Sequence, residues 1–112
     1  MKGGVGAAGP TEKGETVKAY LVLDFTINDL PGFIPYIDAI PAHIERHGGR
    51  YIVRGVAPAR IEGDWTPERL VILEFPDRAS AEAFLGDPDI QDLFKVRHAT
   101  TTSKLVLVDG CI

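Results

Sequence analysis

The segment running from Val17 to Ile27 constrains this chain more than any other. Val17, Ala19, Leu21, Leu23, Phe25 and Ile27 make one wholly apolar face, and Lys18, Tyr20, Val22, Asp24 and Thr26 alternate with them. A period of two held over the whole run is a strand with one deeply buried side and one mixed side. Such a strand needs a second layer over its apolar face.

The rest of the chain supplies that layer. Asn28-Asp29 is a helix cap, and Phe33, Ile37, Ile40 and Ile44 follow at helical spacing to about His47. Pro31 falls in the first turn, where a missing N–H is harmless, whereas Pro35 and Pro41 should loosen or kink the helix. Gly48-Gly49 ends it, one glycine serving as a left-handed cap. Strands are expected at Arg50 to Val56 and Arg69 to Phe75, joined through a turn at Gly63-Asp64. A short helix with Ala81, Phe84 and Leu85 inward breaks at Gly86. It restarts at Asp87-Pro88 and carries Ile90, Leu93, Phe94 and Arg97 on one stripe. Thr102 to Val108 is the last strand.

The order is β-α-β-β-α-β, an α+β chain of the ferredoxin-like type with both helices on one face of an antiparallel sheet. The other face leaves Val22, Leu70 and Ile72 among polar neighbours, and a face of that kind usually meets another surface. In a homodimer two such sheets pack face to face about a two-fold axis. Trp65, on the connection between two prolines, reads as an anchor against the partner subunit.

Composition narrows the function classes. The chain has 112 residues, enough for one domain, and a formal net charge of −4. Its Lys and Arg are scattered, which argues against nucleic acid as a partner. Cys111 stands alone near the C-terminus, so no internal disulfide forms and a reducing compartment fits. No apolar run has the length of a membrane span or the form of a signal peptide, and the cytoplasm is the expected location. Residues 1–16, rich in Gly and Ala, read as a flexible leader to a single domain over residues 17–112.

Several motifs in register carry a family resemblance. They are His47-Gly48-Gly49-Arg50-Tyr51, Arg54-Gly55, and Glu62-Gly63-Asp64-Trp65 with Pro67 and Arg69, followed by Glu74-Phe75-Pro76. Asp87-Pro88 with Gln91, then Arg97, Ser103 and Val108-Asp109-Gly110, continue the series. Together they resemble the domain-of-unknown-function 1330 family over roughly residues 18–110. The resemblance implies a dimeric α/β-barrel fold. It brings no settled reaction, and at superfamily level it reaches cofactor-free monooxygenases, lactone isomerases and haem-dependent peroxidases. Val56 stands where the family often has a second glycine. Leu85-Gly86-Asp87-Pro88-Asp89-Ile90 replaces an aromatic and a Ser-Pro-Glu-Tyr run, so a pocket lined by that aromatic would differ here.

Candidate chemistry is sparse. Asp24 and Glu74 share the mixed face by parity, and two nearby carboxylates can raise one pKa and create a general base. The bland alternative pairs them with Arg50 or Arg54 as structural ions. Tyr20, Tyr36 and Tyr51 are either walls of a small-molecule cavity or packing with satisfied hydroxyls. Arg97, its stem inward, anchors a carboxylate from the protein or from a ligand. His43 and His47 have the four-residue spacing of a shared metal, but no third ligand is evident and a capping or surface role is preferred. No metal and no cofactor are expected. Ser80 and Ser103 have no arrangement that argues for a nucleophile.

The sequence reading is therefore a homodimeric module that binds a small anionic or aromatic molecule between sheet and helices, and that would act, if at all, as a cofactor-free enzyme. Arg97 or Arg54 would hold the anionic group, Glu74 or Asp24 would be the base, and Tyr20 and Tyr36 would shape the walls. The competing readings are a non-catalytic dimer in which the polar cluster only sets subunit register, and a haem protein by analogy, with His43, His47 or His98 as axial ligand.

Overall fold

The computed structural model of the chain describes residues 17–112, so the expected leader lies outside the described residues. The elements are β1 (Ala19–Ile27), α1 (Leu30–Arg46), β2 (Arg50–Val56), β3 (Arg69–Phe75), α2 (Arg78–Gly86), a single 3₁₀ turn (Pro88–Ile90), α3 (Gln91–Thr100) and β4 (Thr101–Asp109). The strands form one sheet in the order β2-β3-β1-β4, and every neighbouring pair is antiparallel. This is the ferredoxin-like arrangement. Within the single chain the sheet is open and does not close into a barrel.

Strand alternation fixes the two faces. Leu21 pairs with Leu73 and Leu107, and Leu23 with Val71 and Leu105. These side chains share the face beneath the helices, where Ala19, Leu21, Phe75, Ile40, Ile44, Phe84 and Phe94 form the main core. Burying each large apolar side chain is worth about 1.5–3 kcal/mol, and this layer supplies most of the driving force.

The opposite face carries Tyr20, Val22 and Asp24 from β1, Leu70, Ile72 and Glu74 from β3, and Val106 and Val108 from β4. Val106 is 59% exposed. The loop between β2 and β3 folds toward this face, where the Trp65 indole Nε1 donates to Asp24 Oδ2 at 2.7 Å. Trp65 itself stays exposed.

Local chemistry sets the boundaries. Asp29 caps α1 by accepting the Gly32 amide at 3.1 Å. At the other end the Gly49 amide reaches Ile44 O and the Gly48 amide reaches Glu45 O, both at 2.9 Å. This is the Schellman pattern, with Gly48 at φ +81°. Gly49 is required for a different reason: a Cβ there would lie 2.6 Å from the Phe75 ring.

α1 runs from Leu30 to Arg46 with Pro35 and Pro41 inside it, and Phe33, Ile40 and Ile44, buried on both sides of the prolines, hold it to the sheet. One expectation is corrected here. Ile37, expected in the core stripe, is 41% exposed because it stands at the rim of an opening between α1 and β2.

Candidate active site: a cationic cavity under the first helix

The space between α1, α3 and the sheet is incompletely filled. It forms a cavity of about 240 Å³. Its walls are largely apolar: Leu21, Leu23, Leu73, Phe33, Phe84 and Phe94 are all buried and border it. Into this surface project two phenols, Tyr36 and Tyr51, and three guanidinium groups, Arg54, Arg69 and Arg97. Among the described residues, no Asp, Glu or His lines it.

The arginines occupy different depths. Arg54 and Arg69 are exposed and mark the mouth, together with Ile37 and Gly55. Arg54 lies with its guanidinium carbon 4.2 Å from the centre of the Tyr51 ring, a cation–π pair. Arg69 Nη1 donates to Gly55 O at 3.2 Å and ties β3 to the edge strand β2. Arg97 is 5% exposed. Its Nη1 donates to Ser103 Oγ at 2.8 Å, and its guanidinium carbon lies 5.7 Å from the Phe94 ring centre. Helical spacing explains its placement, because Ile90, Phe94 and Arg97 share the inward stripe of the third helical segment.

Burial raises the Tyr36 hydroxyl above its ordinary pKa, against the lowering effect of the Arg97 charge. Burial likewise raises Tyr51, with Arg54 opposing it. Both phenols therefore stay protonated at neutral pH. The Tyr36 ring stacks on Phe33, with centres 5.1 Å apart and an interplanar angle of 16°. The polar side chains of the lining are thus phenol hydroxyls, which both donate and accept, and positively charged guanidiniums.

The sheet divides the residues that the sequence reading grouped together. Tyr36, Arg54 and Arg97 line the cavity, with Tyr51 beside them. Tyr20, Asp24 and Glu74 sit on the other face of the sheet. There Arg50 Nε donates to Glu74 Oε1 at 2.8 Å and the Tyr20 hydroxyl donates to Glu74 Oε2 at 3.1 Å. Burial acts to raise the Glu74 carboxyl, but the hydrogen bonds from Arg50 and Tyr20 and the charges of Arg50 and Lys18 outweigh it and hold the group below its ordinary value. Burial and then the bond to Glu74 raise Tyr20. A lowered carboxyl makes a poor general base at neutral pH. Asp24 accepts from Trp65, and Arg97 bonds Ser103 instead of either carboxylate. Val22, Leu70 and Ile72 are half-buried on the open face.

The histidines lie away from the cavity. His47 Nε2 meets Asp87 Oδ2 at 2.7 Å, and Arg46 reaches the same oxygen at 2.7 Å. Arg46 also lies 2.7 Å from His43 Nδ1. His98 is exposed. No group of three or more His, Cys, Asp or Glu among the described residues is placed to hold a metal. Arg69, which lines the cavity, and Ser103, which bonds Arg97, both carry a signal in the sequence: they share strand parity with Phe25, which puts them on the helix side. The Asp87 link to His47 had no such signal, since forty positions separate the two.

An antiparallel sheet in the order β2-β3-β1-β4, roofed by helices over an apolar cavity with a cationic lining, defines an α+β protein of the ferredoxin-like class. The chain belongs to the family described as Domain of unknown function (DUF1330), whose model matches residues 18–111. Among solved structures, a protein of unknown function from Rhodopseudomonas palustris is similar with a TM-score of 0.71 at 17% identity, over 88% of this chain and 85% of that one. SnoaB, a cofactor-independent oxygenase from Streptomyces nogalater, gives 0.61 at 18% identity, over 86% and 95%. A dimeric protein of unknown function with a ferredoxin-like fold from Bacteroides fragilis gives 0.50 at 15%, over 83% and 96%. At these identities the likeness is one of fold. No curated protein matches the chain in sequence.

Proposed function

We propose that this protein is a homodimer that binds a small organic molecule, with an apolar body and an anionic group, in the cavity under α1. The observation that carries the reading is the buried guanidinium of Arg97 at an apolar cavity that no carboxylate among the described residues borders. A buried charge is costly unless it is paired, and an anionic guest is the missing partner. Arg54 and Arg69 at the mouth add a positive field that draws such a guest inward. Tyr36 and Tyr51 shape the walls and offer hydroxyl donors.

Turnover without a cofactor, the activity by which the Streptomyces nogalater protein is described, is the enzymatic form of this reading. In that form the phenols and guanidiniums at the cavity would act on the guest. Asp24 and Glu74, beyond the sheet, would serve the subunit contact. The dimer in this reading covers the open sheet face with a second copy, as befits exposed Val106 and Val108 and a relative that is dimeric.

A thermal-shift screen with small carboxylates, phenols and quinones tests the reading. A guest at 100 times its Kd adds about 2.7 kcal/mol, which in a domain of this size raises Tm by roughly 10 °C or more. A flat response across the screen would sink it.

A further inference from the structure

The cavity's own groups narrow the class of guest, on the footing that the cavity is a binding site. Arg97 Nη1 is engaged by Ser103 Oγ at 2.8 Å, and no carboxylate among the described residues pairs with its guanidinium. No fully buried side-chain nitrogen or oxygen among them lacks a hydrogen-bond partner. The rest of the guanidinium faces the Tyr36 hydroxyl and the cavity that Arg97 lines.

The other two guanidiniums differ. Arg54 is spread over the Tyr51 ring and Arg69 is spent on Gly55 O, and both are exposed, so water already solvates their charge. Of the three, Arg97 combines deep burial, a largely apolar surround and a guanidinium that no carboxylate among the described residues pairs with. The planar edge of a guanidinium matches a carboxylate through two parallel hydrogen bonds. A carboxylate is also ionised at pH 7 without help, whereas a phenol with an ordinary pKa near 10 is not. Tyr36, beside Arg97, adds a protonated hydroxyl.

Size and lining decide the rest of the guest. A dry apolar cavity of about 150 Å³ accepts benzene. About 240 Å³ therefore takes one ring with its carboxylate and a few further atoms, and a fused second ring would reach the mouth. Phe33, Phe84 and Phe94 face such a ring. Among the described residues, no carboxylate borders the cavity to meet an ammonium group.

We propose that the guest is an aromatic monocarboxylate, seated acid-first on Arg97 at the inner end of the cavity, with its ring among the phenylalanines and Ser103 acting as the positioning residue that fixes the guanidinium edge. The ring-bearing acid and its neutral ester separate this claim from the claim that the cavity binds anything.

Isothermal titration of the full chain with benzoate, 2-naphthoate, 2-naphthol and methyl 2-naphthoate makes the test. The expected result is 2-naphthoate bound at least tenfold more tightly than the ester and the naphthol, since hydrogen bonds to charged groups are worth about 1.5–3 kcal/mol. Arg97→Lys, which keeps the charge but loses the planar edge, should cost the acid tenfold or more and leave the ester within threefold. Ser103→Ala should weaken the acid alone, and Ser103→Thr should restore it. The acid–ester comparison uses the unaltered protein and stands even if an Arg97 variant fails to fold. An ester or naphthol that binds as well as the acid overturns the carboxylate seat while the cavity reading survives. If no compound binds, both fall. Equal losses of acid and ester in Ser103→Ala would overturn its positioning role.

Discussion

Asp87 shows how one side chain can join two elements. It caps the 3₁₀ turn through the Asp89 amide at 2.9 Å and receives His47 and Arg46 from the end of α1, each at 2.7 Å. The bond from His47 comes first, with the Asp89 amide and Arg46 adding to it, and together they hold the Asp87 carboxyl far below the usual carboxylate range. A depressed folded-state pKa stabilises the fold above the unfolded value, near 4, and that stabilisation is lost as pH falls through the folded titration. Urea midpoints measured from pH 6 to pH 2 should therefore fall. Asp87→Asn should start from a lower midpoint at pH 6 and lose less over the same window. A variant with the slope of the parent would show that the acid sensitivity lies elsewhere. The same cluster accounts for His43 and His47. Their four-residue spacing satisfies a metal pattern on paper, but the two rings bracket Arg46 and one of them bonds Asp87.

The junction between α1 and β2 depends on two adjacent glycines for unlike reasons. Gly48 supplies a left-handed φ, and Gly49 lets the chain pass against the Phe75 ring. Gly49→Ala would place a methyl 2.6 Å from that ring, inside the packed core. Overpacking of this kind typically costs about 1–3 kcal/mol, so Tm should drop by roughly 4 °C or more. Calorimetry of the variant checks this, and an unchanged Tm would mean that Phe75 can move without loss. α1 itself shows tertiary packing at work. Pro35 and Pro41 each remove a helical hydrogen bond, and the side chains buried on either side of them hold the helix to the sheet.

The open sheet face poses the question of assembly. It mixes half-buried Val22, Leu70 and Ile72 with exposed Val106 and Val108, and it is tied by the Tyr20–Glu74–Arg50 and Trp65–Asp24 hydrogen bonds. If a second copy covers it, the chain should sediment at twice its 12.2 kDa mass at micromolar concentration. Val106→Lys changes an exposed position, so it should leave the fold intact by circular dichroism and shift sedimentation to the single-chain mass. A parent protein that sediments as one chain would remove the dimer. No helix among the described residues is long and apolar enough to cross a membrane.

Much of this architecture can be read without coordinates. Alternation in β1 and β3 sorts the two faces, and the caps at Asp29, Gly48 and Asp87 mark where helices start and stop, because these signals are local and repeat with the period of the backbone. The stripe of Ile90, Phe94 and Arg97 likewise puts the arginine stem inward. Other features come only from the packed fold. Parity places Tyr20, Asp24 and Glu74 on one face but does not say that the cavity opens on the other. That depends on how far α1 stands from β2, and Ile37 and Tyr36 report that spacing only once the layers meet. The pairing of Glu74 with Arg50, of Asp24 with Trp65 and of His47 with Asp87 joins positions far apart in the chain. Such distances carry no periodic signal, so three-dimensional packing alone decides which charges are paired and sets Arg97 at the border of an apolar cavity.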